Sequence, residues 1–338
     1  MFKTNWWKYL GVLLVLYSLL AGLLIPLGPG VMDVSPSQLM QGQANTVLVK
    51  GHGTHFKDNE ATLKLWIKNG EATYQAQSIV VQDNETVAAV FNLAELNTKE
   101  PLHLIANNDF DGTIALDNAF WFNSTEKGPN TSASTKDRIE VKNKDAQGTS
   151  FPFLKILFQT IRNLLFHVPM WFAMIALLIG AIVYSIRYLR KGRIEDDIAA
   201  SQITSVALFI GFLGVATGML WAQFTWGNFW PNDPKMNGVA IGMLMYIAYF
   251  ILRGAIDDEE KRARVSAVTS IFFFPIFMAL IAVLPRLTDS LHPGNGGNPG
   301  FSNYDLDNTL KIVFYPAVLG WILIGFWVAQ LKTRVKKT

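Results

Sequence analysis

Residues 168–186 read VPMWFAMIALLIGAIVYSI, an unbroken stretch without one charged side chain. At 1.5 Å per residue, a helix of ~20 residues crosses the roughly 30 Å hydrocarbon layer of a bilayer, so this stretch is read as a membrane span. Five further blocks are free or nearly free of charge: 9–28, 198–221, 236–252, 265–285 and 312–331. Together they predict an α-helical integral membrane protein with six crossings. Composition agrees: half of the 338 residues are hydrophobic and only 16% are charged, which argues against a soluble globular chain. The first block follows Lys3 and Lys8 as a cleaved signal would, but it is long for a signal core and no small-x-small cleavage site follows. It is expected to stay as an anchor over 1–28. Cysteine is absent, which excludes a disulfide framework, a thiolate metal site, a thiol nucleophile and a covalent CxxCH haem anchor.

The formal net charge of +3 hides an asymmetry. Between residues 29 and 150 there are 10 Lys or Arg against 15 Asp or Glu, while the remainder holds 19 against 11. The chain is a basic membrane part carrying an acidic insert. Its cations sit in short clusters beside apolar blocks, a pattern of lipid topology rather than of nucleic-acid binding. With the N-terminus inside, 14 basic residues fall on the inner face: Lys3, Lys8 and the groups at 187–193, 253–264 and 332–337. Only three, Lys235, Arg286 and Lys311, fall in the two short loops of the other face. The positive-inside rule then puts both termini in the cytoplasm of a bacterium, and the insert with the loops around Trp226 and His292 in the periplasm.

Within the insert the apolar pattern changes to period two. Strands are predicted at 46–50, 61–67, 78–81, 86–91 and 102–105, broken by Gly, Asn and Asp. A small all-β sandwich of immunoglobulin-like type over 29–122 is the expectation. The opening from Ser35-Pro36 through Gly42 to His55-Phe56 resembles, weakly, an IPT/TIG-type immunoglobulin-like domain. His52 and His55 have a His-x-x-His spacing that suits a metal, but no third ligand is evident and polar residues are common in Gly-rich strand-end loops. Residues 123–150 have linker composition, and 151–166 reads as an apolar interfacial helix from which Lys155 and Arg162 snorkel. The rest of 151–338 is the five-span membrane domain.

Topology brings two of the five histidines to one surface. His167 opens the second span, His292 lies in the last outer loop, and between them on the same face runs Trp221-Ala-Gln-Phe-Thr-Trp226-Gly-Asn-Phe-Trp230-Pro-Asn-Asp233-Pro. Two imidazoles beside an aromatic shelf suit haem, whose iron takes axial ligands on opposite faces while indole rings cover the macrocycle. Arg162 or Arg286 matches a propionate carboxylate. Zinc suits the site less, because a stable zinc site needs three or four protein ligands. Plainer roles stand beside these. Interfacial tryptophans anchor many membrane proteins, a histidine at a helix end is often only solvated, and Asp233-Pro234 is what a helix needs for a capped start. Asp257-Asp258-Glu259-Glu260 reads as a solvated loop, and Pro275 and Pro285 as places where a span kinks or ends.

Several motifs occur together: Arg162 five residues before His167-Val-Pro169, Thr217-Gly-Met-Leu-Trp221-Ala, Trp226-Gly227-x-x-Trp230-x-x-Asp233, Asp257-Asp258, and Leu291-His292-x-Gly294. Their order and topology resemble the haem exporter protein C family (CcmC) of cytochrome c maturation, over the first span and about residues 155–331. That resemblance implies His167 and His292 as axial haem ligands, with Trp221, Trp226, Gly227, Trp230 and Asp233 forming the haem platform. It also implies a periplasmic haem chaperone of the CcmE type as receiver, with an ABC-type ATPase and a small single-span subunit as company. No GxxxxGK[ST] loop occurs in this chain, so ATP hydrolysis belongs to a partner. The chain departs from the family pattern in two places. Asn232 stands where the family generally has Trp, for which Phe229 is a possible substitute, and the β-insert is extra.

Transfer by binding and hand-over, rather than turnover, is the main reading. A CcsA-like lyase that joins haem directly to apocytochrome is the nearest alternative. An adhesion or assembly protein working through its immunoglobulin-like domain is another, although an anchor needs one span rather than six. The insert's acidic charge, on the face of the tryptophan loop, suggests a dock for the chaperone or another receiving protein. Deleting residues 35–145 is expected to impair chaperone capture and haem transfer, measured by co-purification and chaperone loading; unchanged capture and transfer exclude that role.

Overall fold

Long apolar runs in a hydrocarbon layer must satisfy their backbone groups internally, which leaves the helix as the available form for a single segment. The computed structural model describes residues 5–41, 43–93, 96, 98–122, 149–158, 160–292 and 306–336. The chain divides into one unit of Met1–Leu24 with Gln159–Thr338 and a second of Ile25–Phe158. The expected linker over 123–150 lies almost wholly outside the described residues.

The first unit consists of α1 (Trp6–Leu24), α2 (Leu164–Lys191), α3 (Ile194–Trp226), α4 (Pro234–Gly254), α5 (Glu259–Met278), α6 (Leu284–Leu287) and α7 (Asn308–Val335). Six helical segments among the described residues are long and apolar enough to cross a membrane, one for each predicted block, and the chain is a multi-pass membrane protein. Pro275 lies inside α5, and Pro285 at the start of α6. Between α5 and α6 the helix continues as a π-helical turn over Ala279–Val283, so the two prolines mark an irregular span rather than its end. Small residues let neighbouring helices approach closely. A Cβ on Gly11 would lie 3.0 Å from Leu323 Cβ, and one on Gly320 would lie 3.0 Å from the backbone nitrogen of Val15, so α1 and α7 meet nearly backbone to backbone.

At the end of the bundle that carries the α2–α3 turn, Asp196 and Asp197 open α3 and are both buried. Arg187 and Arg193 meet Asp196 at 3.1 and 2.9 Å. Arg253 of α4 reaches Asp197 with both terminal nitrogens, one of them at 2.7 Å, and thereby joins α3 to α4.

The described residues of the second unit form nine strands: β1 (Gly30–Ser35), β2 (Gln38–Leu39), β3 (Ala44–His52), β4 (Lys64–Asn69), β5 (Ala72–Gln75), β6 (Ser78–Val81), β7 (Thr86–Asn92), β8 (Leu102–Asn108) and β9 (Gly112–Phe122). They form one sheet in the order β1-β3-β7-β6 and another in the order β2-β9-β8-β4-β5, antiparallel except for β2 with β9. Alternation decides which face is buried. Along β3, Asn45, Val47, Val49 and Gly51 point inward, and Val47 and Val49 join Leu65, Ile67, Phe91, Leu104 and Phe120 in one core.

The reading of 151–166 as an interfacial helix needs revision. Phe151 instead pairs with the chain at Leu27, its amide donating to Pro26 O and its carbonyl accepting from Gly28 N. Among the described residues two 3-10 turns follow before α2, at Lys155–Leu157 and Ile161–Asn163. Neither cation is left to snorkel, since Lys155 pairs with Asp33 at 3.1 Å and Arg162 bonds the end of α1. His52 and His55 also go separate ways. His52 packs on Phe153 and Phe158, and His55 Nδ1 lies 2.8 Å from the buried carboxylate of Asp111. Among the described residues no group of three or more His, Asp or Glu side chains is gathered here to hold a metal.

Arg253→Met leaves Asp197 buried without its cation. It is expected to cost about 3–5 kcal/mol, whereas the double replacement Asp197→Leu/Arg253→Met regains most of that loss. Thermal unfolding of the detergent-solubilised protein checks both.

Candidate functional site

Asp233 begins the site. Pro234 supplies a preset φ at the first helical position of α4, and the Asp233 side chain accepts from the amides of Lys235 at 2.9 Å and Met236 at 3.1 Å. The same buried carboxylate takes three more bonds from the segment after α6. Ser290 Oγ and the Leu291 amide each donate at 2.7 Å, and His292 Nδ1 lies at 3.0 Å. The cap and the histidine support are therefore one group. Burial pushes the Asp233 carboxyl upward, but the bonds from His292, Ser290 and Leu291 outweigh it and hold the group below the usual carboxylate range. Burial lowers the His292 imidazole, the Asp233 bond opposes that shift, and Lys235 adds to it. In the neutral imidazole the proton sits on Nδ1 toward the carboxylate and the lone pair on Nε2, to which no hydrogen bond is made among the described residues.

His167 stands on the first turn of α2, whose start is tied to α3 by Asn163 Nδ2 donating to Thr217 O at 2.8 Å. Its Nδ1 lies 2.9 Å from Gly214 O and 3.2 Å from Thr217 Oγ1. A carbonyl only accepts, so Nδ1 carries the proton here as well, and Nε2 again has no hydrogen-bond partner among the described residues. Trp171 and Trp221 meet the ring edge-on, with centroids at 6.1 and 5.6 Å. Below it, Gly218 leaves room: a Cβ there would lie 2.7 Å from His167 Cε1.

Both imidazoles line one cavity of about 300 Å³. Trp171, Trp221 and Trp230 supply its aromatic wall, α5 and the π-turn contribute Met278, Ile281 and Ala282, and Lys235 and Arg286 bring positive charge. Among the described residues no carboxylate lines it. Trp221 Nε1 is buried without a hydrogen-bond acceptor among the described residues. The cavity therefore offers two nitrogen lone pairs and several N–H donors to a flat apolar body with acidic substituents.

Five of the predicted residues, His167, His292, Trp221, Trp230 and Arg286, come together on this cavity. Trp226 stands behind His292, ring to ring at 5.0 Å, rather than in the wall. Gly227 closes α3 in the left-handed region at φ 75°, its amide donating to Gln223 O. Arg162 is engaged elsewhere. Its guanidinium donates to Gly22 O at 2.7 Å and Leu23 O at 3.0 Å, capping the end of α1. Asn232 takes no aromatic role. It accepts from Asn237 Nδ2 at 3.0 Å while Asn237 Oδ1 accepts from Trp230 Nε1 at 3.2 Å, so the pair orients the neighbouring indole. Phe229 is exposed. Trp171, Lys235, Thr217, Ser290 and the glycines of α3 went unassigned. The signal for Thr217 and Gly218 was their place one helical turn before Trp221, on the face that meets α2.

The family model described as Heme exporter protein C matches residues 157–336. A Heme exporter protein C from Bradyrhizobium diazoefficiens is 29% identical over 183 residues, covering 54% of this chain and 66% of that relative, just under two thirds of its length. Another from Rhodobacter capsulatus is 26% identical over 190 residues, 52% of this chain and 74% of the relative. A cytochrome c biogenesis protein CcsA from Prochlorococcus marinus is 32% identical over 81 residues, 24% of this chain and 25% of the relative. The matched region contains every residue of the cavity wall, and on it the chain belongs to the heme exporter protein C family.

Proposed function

We propose that this protein handles haem in cytochrome c maturation: it holds haem between His167 and His292 at the periplasmic face of a bacterial inner membrane and passes it to a periplasmic haem chaperone. The observation that carries the reading is the cavity shared by two imidazoles, each with Nδ1 tied and Nε2 without a hydrogen-bond partner among the described residues. A bis-histidine site needs that arrangement, because the tied nitrogen fixes the ring and the other meets iron. Arg286, Lys235 and the buried Trp221 N–H, without an acceptor among the described residues, suit propionate oxygens. A volume near the lower end of ligand pockets, ~300–1,000 Å³, admits one edge of a macrocycle and leaves the remainder accessible to a receiver. Partners of the family type, a CcmE-like chaperone, an ABC-type ATPase and a small single-span subunit, belong to the same proposal. So does the assignment of the β-unit as a periplasmic immunoglobulin-like dock.

The likeness to CcsA proteins supports one other reading, direct attachment of haem to apocytochrome. Covalent cytochrome c formed by this chain with only an apocytochrome present would favour it.

Haem held this way gives a Soret band that His167→Ala and His292→Ala each alter, and both variants load the chaperone poorly. Unchanged spectra and loading in both refute the ligand pair. Gly218→Ala drives a methyl into the His167 ring and is expected to lower bound haem on the order of tenfold, as displaced supports of metal ligands do. Pigment content per mole of purified protein measures it.

A further inference from the structure

We infer that the two imidazoles are unequal ligands, with His292 the retained one and His167 the one surrendered at hand-over; this deepens the bis-histidine reading above and rests on it. The inequality lies in what each Nδ1 donates to. His292 Nδ1 faces the carboxylate of Asp233 at 3.0 Å, and the Asp233 side chain is 0% exposed. His167 Nδ1 faces a neutral carbonyl, Gly214 O at 2.9 Å, and the hydroxyl of Thr217. A carboxylate acceptor draws the Nδ1 proton and raises electron density on Nε2, while a carbonyl does so far less. The histidine backed by the carboxylate is the stronger donor to iron.

Chain mobility argues the other way, since His167 belongs to a helix and His292 follows one. Three bonds decide against it. Ser290 Oγ, the Leu291 amide and His292 Nδ1 all converge on Asp233, and Trp226 packs against the imidazole. The segment is pinned to the start of α4. His167, fixed on α2 beneath Trp171 and Trp221, cannot follow iron that moves toward an incoming ligand. In the exchange, the bond from iron to His167 Nε2 breaks and one from a neutral donor of the receiving protein forms. His167 keeps its Nδ1 proton on Gly214 O, so no proton or electron moves.

The full chain in detergent, loaded with haemin, gives the test through the rate of haem transfer to excess apomyoglobin. His292→Gly is expected to release haem at least about tenfold faster than His167→Gly, and free imidazole to restore its Soret band, showing that the fold is intact. Asp233→Asn keeps a competent helix cap. It is expected to release haem about 10–100-fold faster than the parent, with a raised haem reduction potential. If His167→Gly releases haem as fast as His292→Gly or faster, or if Asp233→Asn matches the parent in rate and potential, the inequality is overturned. Should imidazole fail to rescue His292→Gly, Asp233→Asn alone decides. Failure of the underlying reading looks different, because then neither glycine variant changes the Soret band.

Discussion

One buried carboxylate organises this end of the bundle. Asp233 accepts from the first amides of α4 and from Ser290, Leu291 and His292, groups more than fifty residues away in sequence. A charge taken out of solvent is costly unless its lone pairs are filled, and these donors fill them. The arrangement is self-enforcing. A shift of the segment around His292 would strip a buried anion of hydrogen bonds, so the position of one imidazole follows from the electrostatic need of its neighbour. Trp226, behind that imidazole, closes the same corner with apolar contact.

The opposite side of the cavity is set by packing rather than charge. Gly214 and Gly218 let α2 and α3 approach until Trp171 and His167 lie directly on the backbone of α3, and the carbonyl exposed by that approach accepts the His167 proton. Met236 and Val239 of α4 and the π-turn complete the wall. Gly238 lies so close to Leu280 that a Cβ there would stand 2.5 Å from its carbonyl oxygen. An irregular helical turn is thus held against α4 where the cavity needs a side wall.

The helical spans were legible because absence of charge over twenty positions is a signal of composition, independent of partners. His167 and His292 were legible through topology, since alternating crossings put both at one end. Contacts between helices were not. Trp171 and Lys235 look like any interfacial aromatic and cation until α2 and α4 are set around the cavity. Arg162, in a 3-10 turn rather than on a continuous helix, faces the carbonyls of α1. In the β-unit, β3 and β7 alternate cleanly and were read, with ends extended by a few residues. β5 buries nothing fully and has no period to read. β9 hides its alternation because Asp117 and Asn118, the latter at φ 50°, interrupt it opposite the register shift in β8.

A delivery protein faces a constraint that a resident haem protein does not, because whatever holds the cargo must also be undone. Two strong ligands and a deep enclosing pocket would favour retention. Here the cavity is small beside the ligand pockets of most proteins, and the two imidazoles differ in the charge behind them. Under the proposed reading, affinity is concentrated where the protein is most rigidly pinned, at Asp233 and His292, and kept low at the position a receiver must occupy. Selective release then needs no movement of helices, only a donor able to compete with an imidazole supported by a peptide carbonyl.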